Sequence, residues 1–185
     1  MGFAIAEAFA ERGANVTLIS GPVNLTTPQN VNRINVISAQ EMWQTSLESA
    51  VKNQIFIGCA AVADYRVAEV ADQKIKKSGD EISIKLIKNP DIISDVGHLK
   101  THRPFTVGFA AETQNVDDYA KDKLERKNLD MICANDVSGG QVFNADENAL
   151  QIFWKDGHKK LSLKSKVELA ADLVNEIIER YQKTL

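Results

Sequence analysis

The chain holds only two cysteines, Cys59 and Cys133, and three histidines in 185 residues. That supports neither a disulfide framework nor a Cys/His metal centre. Both cysteines stand inside apolar stretches, which predicts two buried thiols. Positive charge is not in excess either. The formal net charge is -3, and binding a nucleic acid needs clustered Lys and Arg in surplus to neutralise phosphates. A small-molecule partner is expected and a nucleic acid is not. No apolar run approaches the roughly 20 residues of a membrane span. The opening Met-Gly-Phe-Ala-Ile-Ala-Glu lacks the basic flank and uncharged core of a signal peptide. The expectation is a cytoplasmic protein with no membrane partner. Also missing are a Walker A loop, a G-x-G-x-x-G turn, a paired-histidine metal motif and a nucleophile elbow, while His98, His102 and His158 are scattered over apparent surface segments.

What is present is an alternation of helix and strand patterns. Helices are predicted over residues 2–12, 39–52, 90–99, 116–127 and 164–181, and strands over 15–20, 34–38, 54–60, 106–110 and 131–134. That rhythm implies an α/β domain with a mostly parallel sheet. Residues 81–87 (EISIKLI) alternate with period 2, and the stretches 150–154 and 160–163 bracket the turn pair Asp156-Gly157, so both read as antiparallel additions. No repeat, low-complexity tract or long linker divides the chain, so residues 1–185 read as one domain.

The opening helix is rich in small residues (Ala4, Ala6, Ala8, Ala10), ends at Gly13, and is followed directly by a strand. In a doubly wound sheet such a helix follows a first strand and a glycine-rich turn that holds phosphate. Neither precedes it here. The fold expected is a Rossmann-like, doubly wound, mostly parallel sheet with antiparallel additions, its first strand and glycine-rich loop missing; an unusual start to a complete domain is the other reading.

Ligands of open α/β sheets bind beyond the carboxyl ends of the strands. The strand 54–60 runs into Ala61, Val62, Ala63 and Asp64. The small residues permit close backbone approach, and Asp64 offers an acceptor for a ribose, a metal or a cation, although an Asp making its own turn is commoner. Strand 106–110 carries Phe109, which suits stacking on a base or simple burial. Strand 131–134 ends in Asn135 and Asp136, placed for a ligand or for a turn. Lys74, Lys76 and Lys77 form a charge run that is either solvated or set against phosphates. Lys123 and Lys127 share a helix face at i, i+4 and suit one anion or separate surface ion pairs. Asn89 and Pro90 read as N-cap and N1 of the following helix. Tyr119 and Lys123 match the Tyr-x-x-x-Lys spacing of short-chain reductases, but Gly21-Pro22 stands where such enzymes place an acidic ribose-binding residue.

Together, the segments Gly58-Cys59-Ala60-Ala61-Val62-Ala63-Asp64-Tyr65, Lys74-Ile75-Lys76-Lys77, Lys88-Asn89-Pro90-Asp91-Ile92, Gly108-Phe109-Ala110-Ala111-Glu112-Thr113 and Lys127-Asn128-Leu129-Asp130 closely resemble the synthetase half of the bacterial bifunctional phosphopantothenoylcysteine decarboxylase/synthetase, in order and spacing. The resemblance implies a ligase of coenzyme A biosynthesis that uses CTP and Mg2+ to join 4'-phosphopantothenate to cysteine through an acyl-cytidylate. It implies backbone contacts to CTP from Gly58, Cys59 and Ala60, and nucleotide contacts from Asp64 and Lys74. It places Asn89, Pro90, Asp91 and Ile92 at the base region, and Phe109, Lys123 and Lys127 complete the site. Lys74 rides on a flap and serves the phosphate charge. The resemblance further implies a homodimer joined through the antiparallel strands, EISIKLI among them, and a possible fused flavin-dependent decarboxylase, so that no flavin is expected in this domain itself. The family's Ser-Asn-His-Ser-Ser-Gly-Lys stretch, with an asparagine that handles the acyl-cytidylate, directly precedes the Met-Gly-Phe helix, so weakened CTP binding and little ligation are expected of these residues alone. Two other readings stand beside this one: a nicotinamide-dependent short-chain reductase using Tyr119 and Lys123, and a non-catalytic truncated fragment that binds nucleotide.

Overall fold

A computed structural model describes residues 1–77, 79–112, 116–136 and 147–185. Helix α1 (Gly2–Glu11) leads through Gly13, which takes a positive φ of 80°, into β1 (Val16–Ser20). Strand β2 (Val31–Asn35) pairs in parallel with β1, Val16 opposite Val31 and Ser20 opposite Asn35. The predicted strand 34–38 is thus displaced toward the N-terminus, because residues 37 and 38 are taken up by the cap of α2 (Ala39–Ala50). Ser38 Oγ accepts from the Glu41 amide at 3.1 Å, and the Glu41 carboxylate accepts from the amides of Ile37 at 2.7 Å and Ser38 at 3.3 Å, a reciprocal capping box.

The main sheet comprises β3 (Ile55–Gly58), β6 (Phe105–Glu112), β7 (Met131–Asp136), β8 (Glu147–Trp154) and β9 (Gly157–Ser165), in that spatial order. The first three strands are parallel and the last two antiparallel. The β8–β9 hairpin turns at Lys155-Asp156, one residue earlier than the expected Asp156-Gly157 pair, because Gly157 already pairs with Trp154 as the first residue of β9. Its two faces are covered by different helices. Ile5, Ala8 and Phe9 of α1 and Leu169, Leu173 and Ile177 of α5 (Lys166–Gln182) pack on Val107, Met131, Cys133, Leu150 and Ile152. On the opposite face Ala120 and Leu124 of α4 (Val116–Arg126) meet Ile132, Ala134 and Phe153. Period-2 alternation along β7 accounts for the division, Met131 and Cys133 facing one layer and Ile132 and Ala134 the other. Each fully buried Leu, Ile or Phe contributes about 1.5–3 kcal/mol relative to exposure.

Strands β1 and β3 are not hydrogen-bonded to one another. The parallel sheet is split there into β1–β2 and the five-stranded part, and both strands instead line one groove of about 1390 Å³, with Ile5, Phe9, Leu18 and Ile57 on its walls. This is the place where the expected first strand of a doubly wound sheet belongs.

The predicted strand 81–87 is far shorter than its alternation suggests. Only β5 (Leu86–Lys88) pairs, antiparallel to β4 (Tyr65–Val67), a three-residue strand that carries no sequence signal of its own. Ile82 and Ile84 stand 67% and 63% exposed, so their period 2 has no covering surface among the described residues.

Helix α3 (Ile92–Gly97) begins later than predicted. Its N-cap is Asp91, whose Oδ1 accepts from the Ser94 amide at 3.2 Å, and not Asn89. Asn89 is instead bound to the loop after β3, its backbone amide donating to Asp64 O at 2.8 Å and its side-chain amide to Ala63 O at 2.9 Å.

Candidate functional site

At the carboxyl end of β3, Gly58 lies in register with Gly108 of β6. A Cβ on either would collide with an apolar neighbour, Ile93 over Gly58 and Leu129 over Gly108. The pair of glycines therefore lets α3 sit directly over the strand ends, bringing residues 89–92 against the loop that follows β3. Gly97, at the far end of α3, likewise leaves room for the carbonyl oxygen of Lys127, so α3 and the end of α4 are in close contact.

Ten of the twelve candidate residues line the groove: Gly58, Cys59, Ala60 and Asp64 from the first loop, Asn89, Pro90, Asp91 and Ile92 from the second, Phe109 from β6, and Lys127. Lys74 and Lys123 do not. Lys74 is exposed in the long connection between β4 and β5, and Lys123 is half-buried on α4. Tyr119 is 51% exposed, and neither it nor Lys123 reaches the groove, which removes the juxtaposition that a reductase pair requires. Thr113 and the side chains of Asn135 and Asp136 lie outside the described residues.

Lys127 Nζ stands 2.9 Å from Asp91 Oδ2 and 3.2 Å from Oδ1. Burial pushes the Asp91 carboxyl up, but the hydrogen bonds from Lys127 and the Ser94 amide, with the charges of Lys127 and Arg126, outweigh it and hold the group below the ordinary aspartate value. Asp64 is exposed, its backbone oxygen bonded to Asn89 and its carboxylate facing solvent. Phe109 is half-buried against the core and in register with Cys133. The groove mouth thus combines Lys127 and Lys88, an exposed carboxylate, an aromatic ring and a stretch of small residues.

The two thiols are not alike. Cys133 is buried, as expected, whereas Cys59 is only half-buried, against the start of α1. Burial raises the Cys59 pKa despite the opposing N-terminal charge and Gly2 amide, so it is a poor nucleophile at neutral pH. Among the described residues no group of three His, Cys, Asp or Glu side chains could hold a metal ion by itself, and no helix is long and apolar enough to cross a membrane. Sequence reasoning missed two site features. Ile93 roofs the paired glycines, and Arg66 bonds to Asn89 Oδ1 at 3.2 Å; both depend on contacts between distant parts of the chain.

Fold and groove together define a Rossmann-like α/β domain whose strand-end loops converge on a polar groove mouth. Residues 1–181 match the family described as DNA/pantothenate metabolism flavoprotein C-terminal domain, and the chain belongs to that family. It is 96% identical over 185 residues to the Coenzyme A biosynthesis bifunctional protein CoaBC of Haemophilus influenzae, covering all of this chain and 46% of that protein. It is 58% identical to the CoaBC of Escherichia coli K12, covering 99% of this chain and again 46% of the relative. The chain therefore spans about half the length of these relatives. Among solved structures, the C-terminal domain of a CoaBC superposes with a TM-score of 0.82 at 35% identity, covering 98% of this chain and 82% of the other. A Cab2 H337A variant in complex with phosphopantothenate-cysteine shares the fold, with a TM-score of 0.74 at 14% identity, covering 98% and 77%.

Proposed function

We propose that residues 1–185 form the synthetase unit of a phosphopantothenate–cysteine ligase and that the groove mouth is its CTP site. The observation that carries this reading is the convergence of Gly58–Ala60, Asp64, Asn89–Ile92, Phe109 and Lys127 on one groove at the carboxyl ends of β3 and β6, where open α/β sheets bind their ligands. The names of the relatives, a coenzyme A biosynthesis protein and a phosphopantothenate-cysteine complex, support the substrate class.

In the proposed reaction the carboxylate of 4'-phosphopantothenate attacks the α-phosphate of CTP, forming an acyl-cytidylate and releasing pyrophosphate. The amine of cysteine then attacks the acyl carbon, expels CMP and leaves the amide. No protein nucleophile is needed; the demand is on positioning and on charge stabilisation. Lys127 exchanges Asp91 for a phosphate oxygen; Lys123, one turn back on α4 and outside the groove as it stands, would turn toward the bound triphosphate as a second cation, and Lys74 arrives with the connection between β4 and β5 as a flap. The backbone of residues 58–60 approaches the nucleotide, the edge formed by residues 89–92 receives the base, and Phe109 flanks it. Asp64, exposed at the mouth, would be available to the ribose or to a Mg2+ ion accompanying the triphosphate, which would supply charge neutralisation at the phosphates.

The same reading takes the protein as a cytoplasmic homodimer joined through the β4–β5 ribbon, where Tyr65, Val67, Ile82, Ile84 and Leu86 are exposed, and as part of a longer protein with a flavin-dependent decarboxylase. The test is mass-spectrometric detection of phosphopantothenoylcysteine from 4'-phosphopantothenate, cysteine, CTP and Mg2+. Little product is expected from these residues alone, and what forms should require CTP; product formed equally well with no nucleotide would contradict the mechanism.

A further inference from the structure

Arg66 sits on β4 in register with Ile87 of β5 and is half-buried. Its Nη1 donates to the carbonyl oxygen of Lys88 at 2.8 Å and to Asn89 Oδ1 at 3.2 Å. An asparagine amide has one accepting and one donating end. With its oxygen turned to the guanidinium, the Asn89 Nδ2 donates to Ala63 O at 2.9 Å, while the Asn89 backbone amide donates to Asp64 O at 2.8 Å. Turning the amide over would set its NH2 against a guanidinium that can only donate. Asn89 is 6% exposed, so a lost bond here leaves a buried polar group unmatched.

We infer that Arg66 is a positioning residue, which fixes the orientation of the Asn89 amide and thereby ties the loop after β3 to the entrance of α3. Two consequences follow from the geometry. Asp64 and Asp91, on opposite sides of this tie, are held in a constant relation at the groove mouth. The β4–β5 ribbon, which carries the connection with Lys74, meets the groove where Tyr65 pairs with Lys88 and the Asn89 amide donates to Asp64 O, and Arg66 adds the side-chain bonds that brace that junction. The functional part of this inference rests on the CTP reading; the structural part rests on the hydrogen bonds alone.

The experiment compares the unaltered chain with Arg66→Ala, Arg66→Gln and Arg66→Lys by two readouts on the same samples. One is hydrogen exchange of the Asn89 side-chain amide by NMR, and the other is calorimetric titration with CTP and Mg2+. In Arg66→Ala the Asn89 amide protons lose protection and the CTP Kd rises about tenfold, as expected for loss of a charge-assisted bond. Arg66→Lys, which keeps a cationic donor, recovers part of both effects, and the melting temperature without nucleotide moves little. Unchanged Asn89 protection in Arg66→Ala overturns the inference whatever CTP does. Lost protection with unchanged CTP affinity overturns the coupling. Should the unaltered chain bind no CTP, the CTP reading fails, and the exchange readout alone still decides the role of Arg66. Should Arg66→Ala not fold, Arg66→Gln and Arg66→Lys carry the same comparison.

Discussion

Lys127 and Asp91 form the ion pair that closes the groove mouth, Nζ to Oδ2 at 2.9 Å, joining the end of α4 to the N-cap of α3. The Lys127 side chain is 19% exposed and that of Asp91 39%, so water screens the pair and its net worth to folding is small, about 0–1 kcal/mol. Its larger consequence is electrostatic poise. A cation already held at the mouth has only to change partner to receive a phosphate.

Lys127→Ala is therefore expected to weaken CTP binding about tenfold or more, measured by calorimetry, with a fall in melting temperature of roughly 4 °C at most. Asp91 keeps its cap bond to Ser94 in that variant, so α3 remains. An equal loss of affinity for an uncharged nucleoside would place Lys127 outside the phosphate site.

Glu176 predicts the acid response. It is 2% exposed and accepts from Lys159 Nζ at 2.6 Å and Arg180 Nη2 at 2.7 Å, while the Arg180 guanidinium lies 3.8 Å from the Trp154 ring centroid. Burial pushes the carboxyl up, but the two cationic donors outweigh it and hold it below the ordinary glutamate value. A depressed carboxyl stabilises the fold above the unfolded pKa of about 4.3, and that contribution is lost as pH falls through the folded value. Urea midpoints of the unaltered chain should drop below about pH 4, and Glu176→Ala should flatten that drop while costing about 1.5–3 kcal/mol at neutral pH, since Lys159, 51% exposed, stays solvated without it. An acid response identical in both proteins would assign it to other carboxylates.

How much of this could be read from the sequence depends on how local the deciding contacts are. Helix α5 announces itself through Ser165 and Glu168, a capping box within three residues. The β8–β9 turn is local as well, and four of the five family segments supply the ten candidate residues that line one groove. The Asn89 cap was misplaced because Asp64 and Ala63, more than twenty positions away, take up its backbone and side-chain amides. Arg66 escaped notice for the same reason. The alternation in EISIKLI reports a surface to be covered rather than a strand paired within this chain, so its length was overestimated.

That exposed surface gives a prediction of its own. Ile84→Asp combined with Leu86→Asp should shift the chain from dimer to monomer in sedimentation velocity without changing its far-ultraviolet circular dichroism. A dimer that survives both charges would place the interface elsewhere.

The split between β1 and β3 gives another. A Cβ at Gly2 would lie 3.8 Å from the Cβ and Sγ of Cys59, so the start of α1 lies beside the carboxyl end of β3, where a strand parallel to β1 and β3 would end. A five-residue strand-forming segment joined ahead of Met1 by a short glycine turn should enter the groove and satisfy both edges. The expected rise in melting temperature is about 5 °C or more, from two or three newly buried apolar side chains. A scrambled segment of polar residues should give no rise; equal stabilisation by both would contradict strand insertion.

The central claim is that the groove mouth is a CTP site, and calorimetric titration of this chain with CTP and Mg2+, against ATP and NADPH, tests it most directly. Saturable binding of CTP, abolished or weakened about tenfold in Lys127→Ala and absent with NADPH, is the predicted result. Binding of NADPH in preference to CTP, or CTP binding indifferent to Lys127, would contradict it.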